Sequence, residues 1–269
     1  MQMSVSRDGI IEKLLRMGLV GMAEAFVLQS EQDKEGTLSF EERFRELVDA
    51  EQAYREDRRH TRLLTRARFP LPASIATIDW QVARGLDYTL IHWLAGCEWL
   101  QERHNVLITG PTGVGKTFMA CALGEAACRH GYVTRYWRAP RLLAEIKAAR
   151  DSGFYHRLLH KLAATHLLII DDWLLAPLSL AEARDLLEII DDRSQMSSTI
   201  VASCIPVDEW RGRISAPLVA DAIVDRLVHN AHRIALTGES MRKRTDLRVA
   251  DASGSFPAQS DPSRGPKLR

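Results

Sequence analysis

The sequence predicts an α/β fold: a parallel sheet flanked by helices, preceded by a small all-helical N-terminal domain. Three observations predict it. From about residue 104, short apolar runs alternate with longer helical patterns. One run leads directly into a glycine-rich loop ending in Lys116-Thr117, and another ends in the pair Asp171-Asp172. Short apolar strands separated by helices are strands buried on both faces, which is the parallel-sheet arrangement.

The 269 residues suffice for one such core plus a small extra domain. Residues 1–68 read as the helical N-terminal domain. Ser39 and Glu42 form a capping box, and Phe44, Leu47 and Tyr54 follow at helical spacing. Phe69-Pro70-Leu71-Pro72 ends that helix, because proline restricts the residue before it and cannot continue the hydrogen-bond ladder. Residues 69–103 form a junction with short apolar patches. Residues 104–244 form the α/β domain, with strands expected at 106–109, 132–137, 167–171, 199–203 and 233–236. Helical patterns between them include 116–130 and 179–193, the latter opening on a second capping box, Ser179 and Glu182. Residues 245–269, rich in Ser, Pro, Gly and Asp without a period, are expected to be a disordered tail.

Charge is nearly balanced, 36 Lys+Arg against 35 Asp+Glu, which excludes a uniformly basic protein but not local basic stripes. The longest apolar stretch, residues 90–100, is interrupted by His92 and Glu98 and is far too short for a membrane span. Arg7, Asp8, Glu12 and Lys13 leave no apolar core for a signal peptide. Cys97, Cys121, Cys128 and Cys204 form no C-x-x-C pair, so neither a zinc nor a redox motif is expected. Cys121 and Cys128, seven apart on one helical pattern, are expected to face the core. A cytoplasmic protein with reduced thiols and no membrane partner follows as the expectation.

Gly110-Pro111-Thr112-Gly113-Val114-Gly115-Lys116-Thr117 fits G-x-x-x-x-G-K-[ST], between an apolar strand and an apolar helix. The glycines let backbone N–H groups turn onto phosphates, and the helix adds its positive N-terminal end. This is the loop of a P-loop NTPase. Lys116 is expected to reach the β- and γ-phosphates of ATP, and the Thr117 hydroxyl to bind Mg²⁺.

The carboxylate pair lies about fifty residues downstream, a common separation for this fold. A buried strand ending in a carboxylate needs a partner for the charge, and Mg²⁺ suits Asp171. Asp172 either serves as the base that orients the attacking water or caps the next helix. Ser203 either senses the γ-phosphate, as a polar residue does at this point of AAA+ folds, or simply ends its strand. Arg226 lies off the apolar face Val219, Ile223, Leu227. It is read either as an arginine finger reaching a neighbouring subunit or as the partner of Asp225 or Asp221. Arg242 is read as a second sensor arginine or as an ordinary basic residue.

The run Ala220-Asp221-Ala222-Ile223-Val224-Asp225-Arg226-Leu227-Val228-His229-Asn230-Ala231-His232-Arg233-Ile234, followed by Gly238-Glu239-Ser240-Met241-Arg242-Lys243, resembles the C-terminal signature of IstB-like proteins. The loop, Asp171-Asp172, Ser39-Phe40-Glu41-Glu42-Arg43 and Ala122-Leu123-Gly124-Glu125-Ala126-Ala127-Cys128 agree with it, so the resemblance covers residues from about 10 to 244. It implies an AAA+ domain of the initiator clade, close to DnaC helicase loaders, behind a helical N-terminal domain. It further implies ATP-promoted self-assembly on double-stranded DNA, bending or remodelling of that DNA, and stimulation of a cognate transposase. Three departures stand out. The family usually carries Gly where Leu174 stands, Gln or Asn where Cys204 stands, and a Gly-Asp or Gly-Glu pair near Ser215-Ala216. Only 25 residues follow Arg244, so Arg242 is expected to act from a short segment rather than a full helical lid.

Two basic stripes are candidates for DNA. Arg55, Arg59, Arg62 and Arg66 recur at spacings of four, three and four, on one helix face. Arg138, Arg141, Lys147, Arg150, Arg157 and Lys161 cluster where initiator-clade ATPases carry an extra helix facing DNA. Either stripe binds phosphates without sequence preference or is a solvated charged face. His156 and His160, at i and i+4, lack a third metal ligand nearby. The leading expectation is an ATP-hydrolysing helper of transposition. The alternatives are a DnaC-type helicase loader and an ATP-gated DNA scaffold with negligible turnover.

Overall fold

The computed structural model describes residues 7–32 and 38–241; Arg242 and the expected tail at 245–269 lie outside the described residues. The chain opens with three helices, α1 (Arg7–Arg16), α2 (Val20–Gln32) and α3 (Phe40–Ala67). The expected capping box starts α3: Ser39 Oγ accepts the Glu42 amide, and the Glu42 carboxylate accepts the Ser39 amide at 2.8 Å. The helix stops at Arg68, which takes the left-handed conformation at φ 60°, just before Phe69-Pro70. Buried Glu51 accepts the Met22 amide at 3.1 Å and Arg55 Nε at 2.6 Å, so one carboxylate joins α2 to α3. Phe44 is exposed and stacks on Phe40.

Two short helices, α4 (Tyr88–Ala95) and α5 (Glu98–Gln101), lead into β1 (Asn105–Thr109). Then follow α6 (Lys116–Arg129), β2 (Thr134–Arg138), α7 (Ala139–Asp151), α8 (Tyr155–Ala163) and β3 (Leu167–Asp171). The chain continues through α9 (Leu180–Arg193), β4 (Ser198–Ser203), α10 (Pro217–Val228) and β5 (Ala231–Ala235). The five strands form one sheet in the order β2-β3-β4-β1-β5, every pairing parallel. The expected parallel sheet is thus present, with shifted ends. β2 starts at Thr134 rather than 132 because the Tyr132 amide turns back to the Ala127 carbonyl and the Val133 amide bonds His166 Nδ1. β5 starts at Ala231 rather than 233, because Ala231 pairs with Asn105 at the first position of β1.

The sheet is covered on both faces, and successive strand residues feed opposite layers. Ile169 packs with Val106, Ile108, Met119 and Leu123 under α4 and α6. Its neighbours Leu168 and Ile170 pack with Leu142, Ile146, Leu186 and Ile223 under α7, α9 and α10. Cys121 and Cys128 are buried, as expected, and so is Cys97. Fully buried Arg193 donates to the carbonyls of Leu162, Thr165 and Ser198 and to Thr199 Oγ1, tying α9 to α8 and β4. The helical N-terminal part docks through α3. Arg59 Nη2 donates to the Gly131 carbonyl at 3.1 Å, and Arg135 Nη1 to the Arg66 carbonyl at 2.8 Å. No helix among the described residues is long and apolar enough to cross a membrane.

Candidate nucleotide site

The glycine-rich loop leaves the carboxyl end of β1, where open parallel sheets bind ligands. Its glycines Gly110, Gly113 and Gly115 have φ of 145°, 86° and 109°, values that L side chains rarely adopt. Space forbids side chains as well: a Cβ on Gly110 would stand 2.2 Å from the Leu236 carbonyl oxygen, and one on Gly113 2.2 Å from Ser240 Oγ. The segment after β5 therefore lies directly on the loop, and the Met241 amide donates to the Gly113 carbonyl at 2.9 Å.

α6 begins at Gly115 without any side-chain cap, whereas α3 and α9 both carry capping boxes. Its first-turn amides are thus left for a ligand, at the positive end of the helix dipole. Lys116 Nζ donates to the Gly110 and Pro111 carbonyls at 2.8 Å each, holding its charge over the loop. Pro111, Thr112 and Val114 complete the loop, with Val114 buried beneath it.

The Thr117 hydroxyl donates to Asp171 Oδ2 at 2.7 Å, so the first turn of α6 and the end of β3 meet. Asp171 is 3% exposed, and two further donors hold it: Tyr136 Oη to Oδ2 at 2.8 Å and the Asp172 amide to Oδ1 at 2.8 Å. The Tyr136 hydroxyl is pushed well above the ordinary phenol range, first by burial and then by the Asp171 charge. One hydroxyl and one carboxylate are hard oxygen donors that suit Mg²⁺, which commonly completes its shell with phosphate and water. No group of three or more His, Cys, Asp or Glu among the described residues could hold a metal by itself. The donor set therefore fits a cation that arrives with a polyphosphate.

Asp172 does not cap the next helix; Ser179 does. Instead its carboxylate is held by Arg138, Nε to Oδ2 at 2.5 Å, at the end of the neighbouring strand. Asp172 and Leu174 both take positive φ, 55° and 54°. A glycine where Leu174 stands would suit that backbone, and Leu174 occupies it with its side chain 2% exposed. Ser203 is fully buried; its hydroxyl donates to the Trp173 carbonyl at 2.7 Å and accepts the Ile205 amide at 3.0 Å. It ties β4 to the loop after β3. Cys204 is half-buried beside it.

Arg226 lies elsewhere. Its carbonyl accepts from the Asn105 side chain at 3.2 Å, at the opposite end of β1 from the loop. Its guanidinium pairs with Asp191 of α9, rather than with Asp225 or Asp221; Asp221 pairs with Arg211. Five strand residues separate the two ends, about 16 Å. Arg226 cannot serve the loop of its own chain.

The basic stripes are exposed on α3, α7 and α8, with several members engaged. Arg55 pairs with Glu51 and Arg59 holds Gly131, while Arg62 and Arg66 extend the row. Arg150 pairs with Asp185 and lies over the Tyr155 ring, and Arg138 is taken by Asp172. Arg141, Lys147, Arg157 and Lys161 present exposed side chains. His156 and His160 are exposed on α8. Sequence reasoning missed Tyr136 and the Arg138–Asp172 pair. Both follow from β2 lying beside β3 in the register Arg138↔Asp171, an adjacency that no local motif announces.

The sequence profile of the family described as IstB-like ATP binding protein matches residues 12–249. Among curated relatives, an insertion sequence ATP-binding protein of Sinorhizobium fredii, y4pL, is 44% identical over 233 residues, 87% of this chain and 95% of that one. The insertion sequence IS1162 ATP-binding protein of Pseudomonas fluorescens is 45% identical over 197 residues, 73% of this chain and 85% of that one. Among solved structures, DnaI superposes with a TM-score of 0.54 at 17% identity, covering 63% of this chain and 96% of that one. AMPPCP-bound DnaA from Aquifex aeolicus gives 0.55 at 18% identity, covering 71% and 59%. These two likenesses show the AAA+ P-loop fold.

Proposed function

The chain belongs to the IstB-like ATP-binding protein family, and from that premise we propose that it is a Mg²⁺-dependent ATPase that assists DNA transposition. The observation that carries the reading is the meeting of Lys116, Thr117 and Asp171 at an uncapped helix start. Residues 110–117 are assigned to the phosphates, and Thr117 and Asp171 to Mg²⁺, which when bound supplies charge neutralisation to the phosphoryl group. Asp172 is assigned the attacking water, on which its carboxylate acts once Arg138 lets it go. Ser203 is better suited to fixing the loop after β3 than to touching phosphate, because both hydrogen bonds of its hydroxyl are engaged there. Arg226 completes the site of an adjacent copy, so catalysis depends on a homo-oligomer.

The relatives are named as insertion sequence proteins, which supports DNA and a cognate transposase as partners. In this reading ATP drives assembly on duplex DNA, the assembly bends or remodels it, and the transposase is stimulated. Arg62, Arg66, Arg141, Lys147, Arg157 and Lys161 are the exposed cations offered to phosphates, with Arg55, Arg59 and Arg150 nearby but already paired. One observation favours a second reading, an ATP-gated scaffold with negligible turnover: the Asp172 carboxylate is held by Arg138. Phosphate release separates the two. Turnover that rises with duplex DNA and disappears in Lys116→Ala is expected of the ATPase. No rise on adding DNA and transposase would reject it.

A further inference from the structure

Arg84 lies in the junction before α4, outside every motif that the sequence displays. Its side chain is 5% exposed. Nη2 donates to the Asp79 carbonyl at 2.7 Å, while the Asp79 carboxylate is turned to the Gln81 amide. Nη1 stands 3.1 Å from where a Cβ on Gly115 would be, so the guanidinium lies against the start of α6. Nε is buried without any partner among the described residues. A buried guanidinium N–H with no acceptor is costly, and native interiors rarely keep one without a water, ion or ligand to satisfy it. Burial holds the Arg84 pKa below the ordinary arginine value, with the nearby Asp79 pulling the other way, so an added anion would relieve it.

The geometry points to Arg84 as a nucleotide-binding residue that grips the nucleoside-proximal phosphates, an assignment that rests on the loop binding ATP. Topology decides which end of the triphosphate it meets. The Arg84 carbonyl accepts the Thr237 amide at 2.9 Å, which fixes the junction to the segment after β5. Asp171 and Asp172, where the γ-phosphate is attacked, lie at the end of β3, on the other side of β1 across β4. Arg84 therefore faces the part of the chain of phosphates that ATP and ADP share. It adds binding equal in ground and transition states, which changes affinity and leaves the chemical step alone.

The test is calorimetric titration of the wild-type full chain, Arg84→Met and Arg84→Lys with ATP and with ADP in Mg²⁺. The expected result is a loss of about tenfold for both nucleotides in Arg84→Met. Partial recovery of affinity is expected in Arg84→Lys. A loss confined to ATP, or no loss in a variant that keeps the wild-type melting transition, overturns the assignment. Wild-type protein that binds neither nucleotide overturns the ATP reading and this inference with it; normal wild-type binding with an unaffected Arg84→Met removes this inference alone. If Arg84→Met does not fold, the Arg84 ¹⁵Nε–¹H resonance of the wild type decides. ADP must shift it and slow its exchange with water, and a resonance that ADP leaves unmoved overturns the proposal.

Discussion

Arg138, at the end of β2, and Asp172, just past the end of the neighbouring β3, are joined Nε to Oδ2 at 2.5 Å, with half of the Arg138 side chain open to solvent. On the proposed reading, this pair restrains the catalytic base. An exposed ion pair is worth at most about 1 kcal/mol. Arg138→Ala is therefore expected to raise DNA-independent ATP turnover by about twofold to fivefold. It should also shrink the ratio of DNA-stimulated to basal rate, as read by phosphate release. A fall in basal turnover would show that Arg138 supports the chemistry directly.

Arg226 sits at the far end of the sheet from its own loop, so the finger role proposed for it is one played between copies. Arg226→Ala and Lys116→Ala are each expected to be inactive yet complementary when mixed. In a head-to-tail assembly with random mixing, about one quarter of the sites join an intact loop to an intact Arg226. Turnover in an equimolar mixture should approach that fraction of the wild-type rate. A mixture as silent as its components would remove the finger assignment.

Tyr136 contributes one of three donors to buried Asp171. Tyr136→Phe removes that donor and little volume. Unfolding by urea is expected to show a loss of about 1.5–3 kcal/mol, the scale for a hydrogen bond to a charged group. An unchanged midpoint and slope would mean that Thr117 and the Asp172 amide suffice.

Burial pushes the Cys97 and Cys121 thiols up to about 12 and Cys128 up to about 11. The thiolate is the reactive form, and a raised pKa keeps these groups neutral at pH 8. Iodoacetamide on the folded protein is expected to label Cys204 alone, by peptide mass mapping. The other three should react only after denaturation. Rapid labelling of Cys121 in the native state would contradict the packing of α6 against β3.

Leu174 combines a left-handed backbone with a buried side chain. Leu174→Gly should recover about 1 kcal/mol of backbone strain. It should lose more than that from the emptied core, where removing a leucine side chain costs about 2–5 kcal/mol. A net destabilisation is expected in thermal melts. A stabilised variant would mean that the neighbouring Trp173 and Trp210 close the space.

The sequence announced the elements whose signals are local. Ser39 and Ser179 start helices because a hydroxyl and a glutamate three residues on satisfy the same exposed amides in any context. Residues 167–171 read as a buried strand because five apolar or terminal acidic residues admit no other placement, and the observed limits agree. What stayed hidden was adjacency. Nothing near Arg138 in the chain says that β2 lies beside β3, so its pairing with Asp172 could not be read. The half-buried Arg226 lies off the apolar face of α10 as its spacing implies, but its partner Asp191 comes from another helix. Arg84 gave no signal at all, because a single arginine in a junction looks like any surface cation until its burial is known.

The docking of α3 has a mechanical consequence. Its 28 residues span about 42 Å. Among the described residues it is held to the sheet region in its second half, where Arg59 meets Gly131, His60 lies 3.3 Å from Glu125 and Arg135 meets Arg66. Gly131 follows α6, the helix whose other end carries Lys116 and Thr117. A tilt of about 5° at that hold swings Phe40, at the far end, through roughly 2.5–3.5 Å by the length of the rod alone. Any tilt of that hold is thereby enlarged into a displacement at the stacked rings of Phe40 and Phe44.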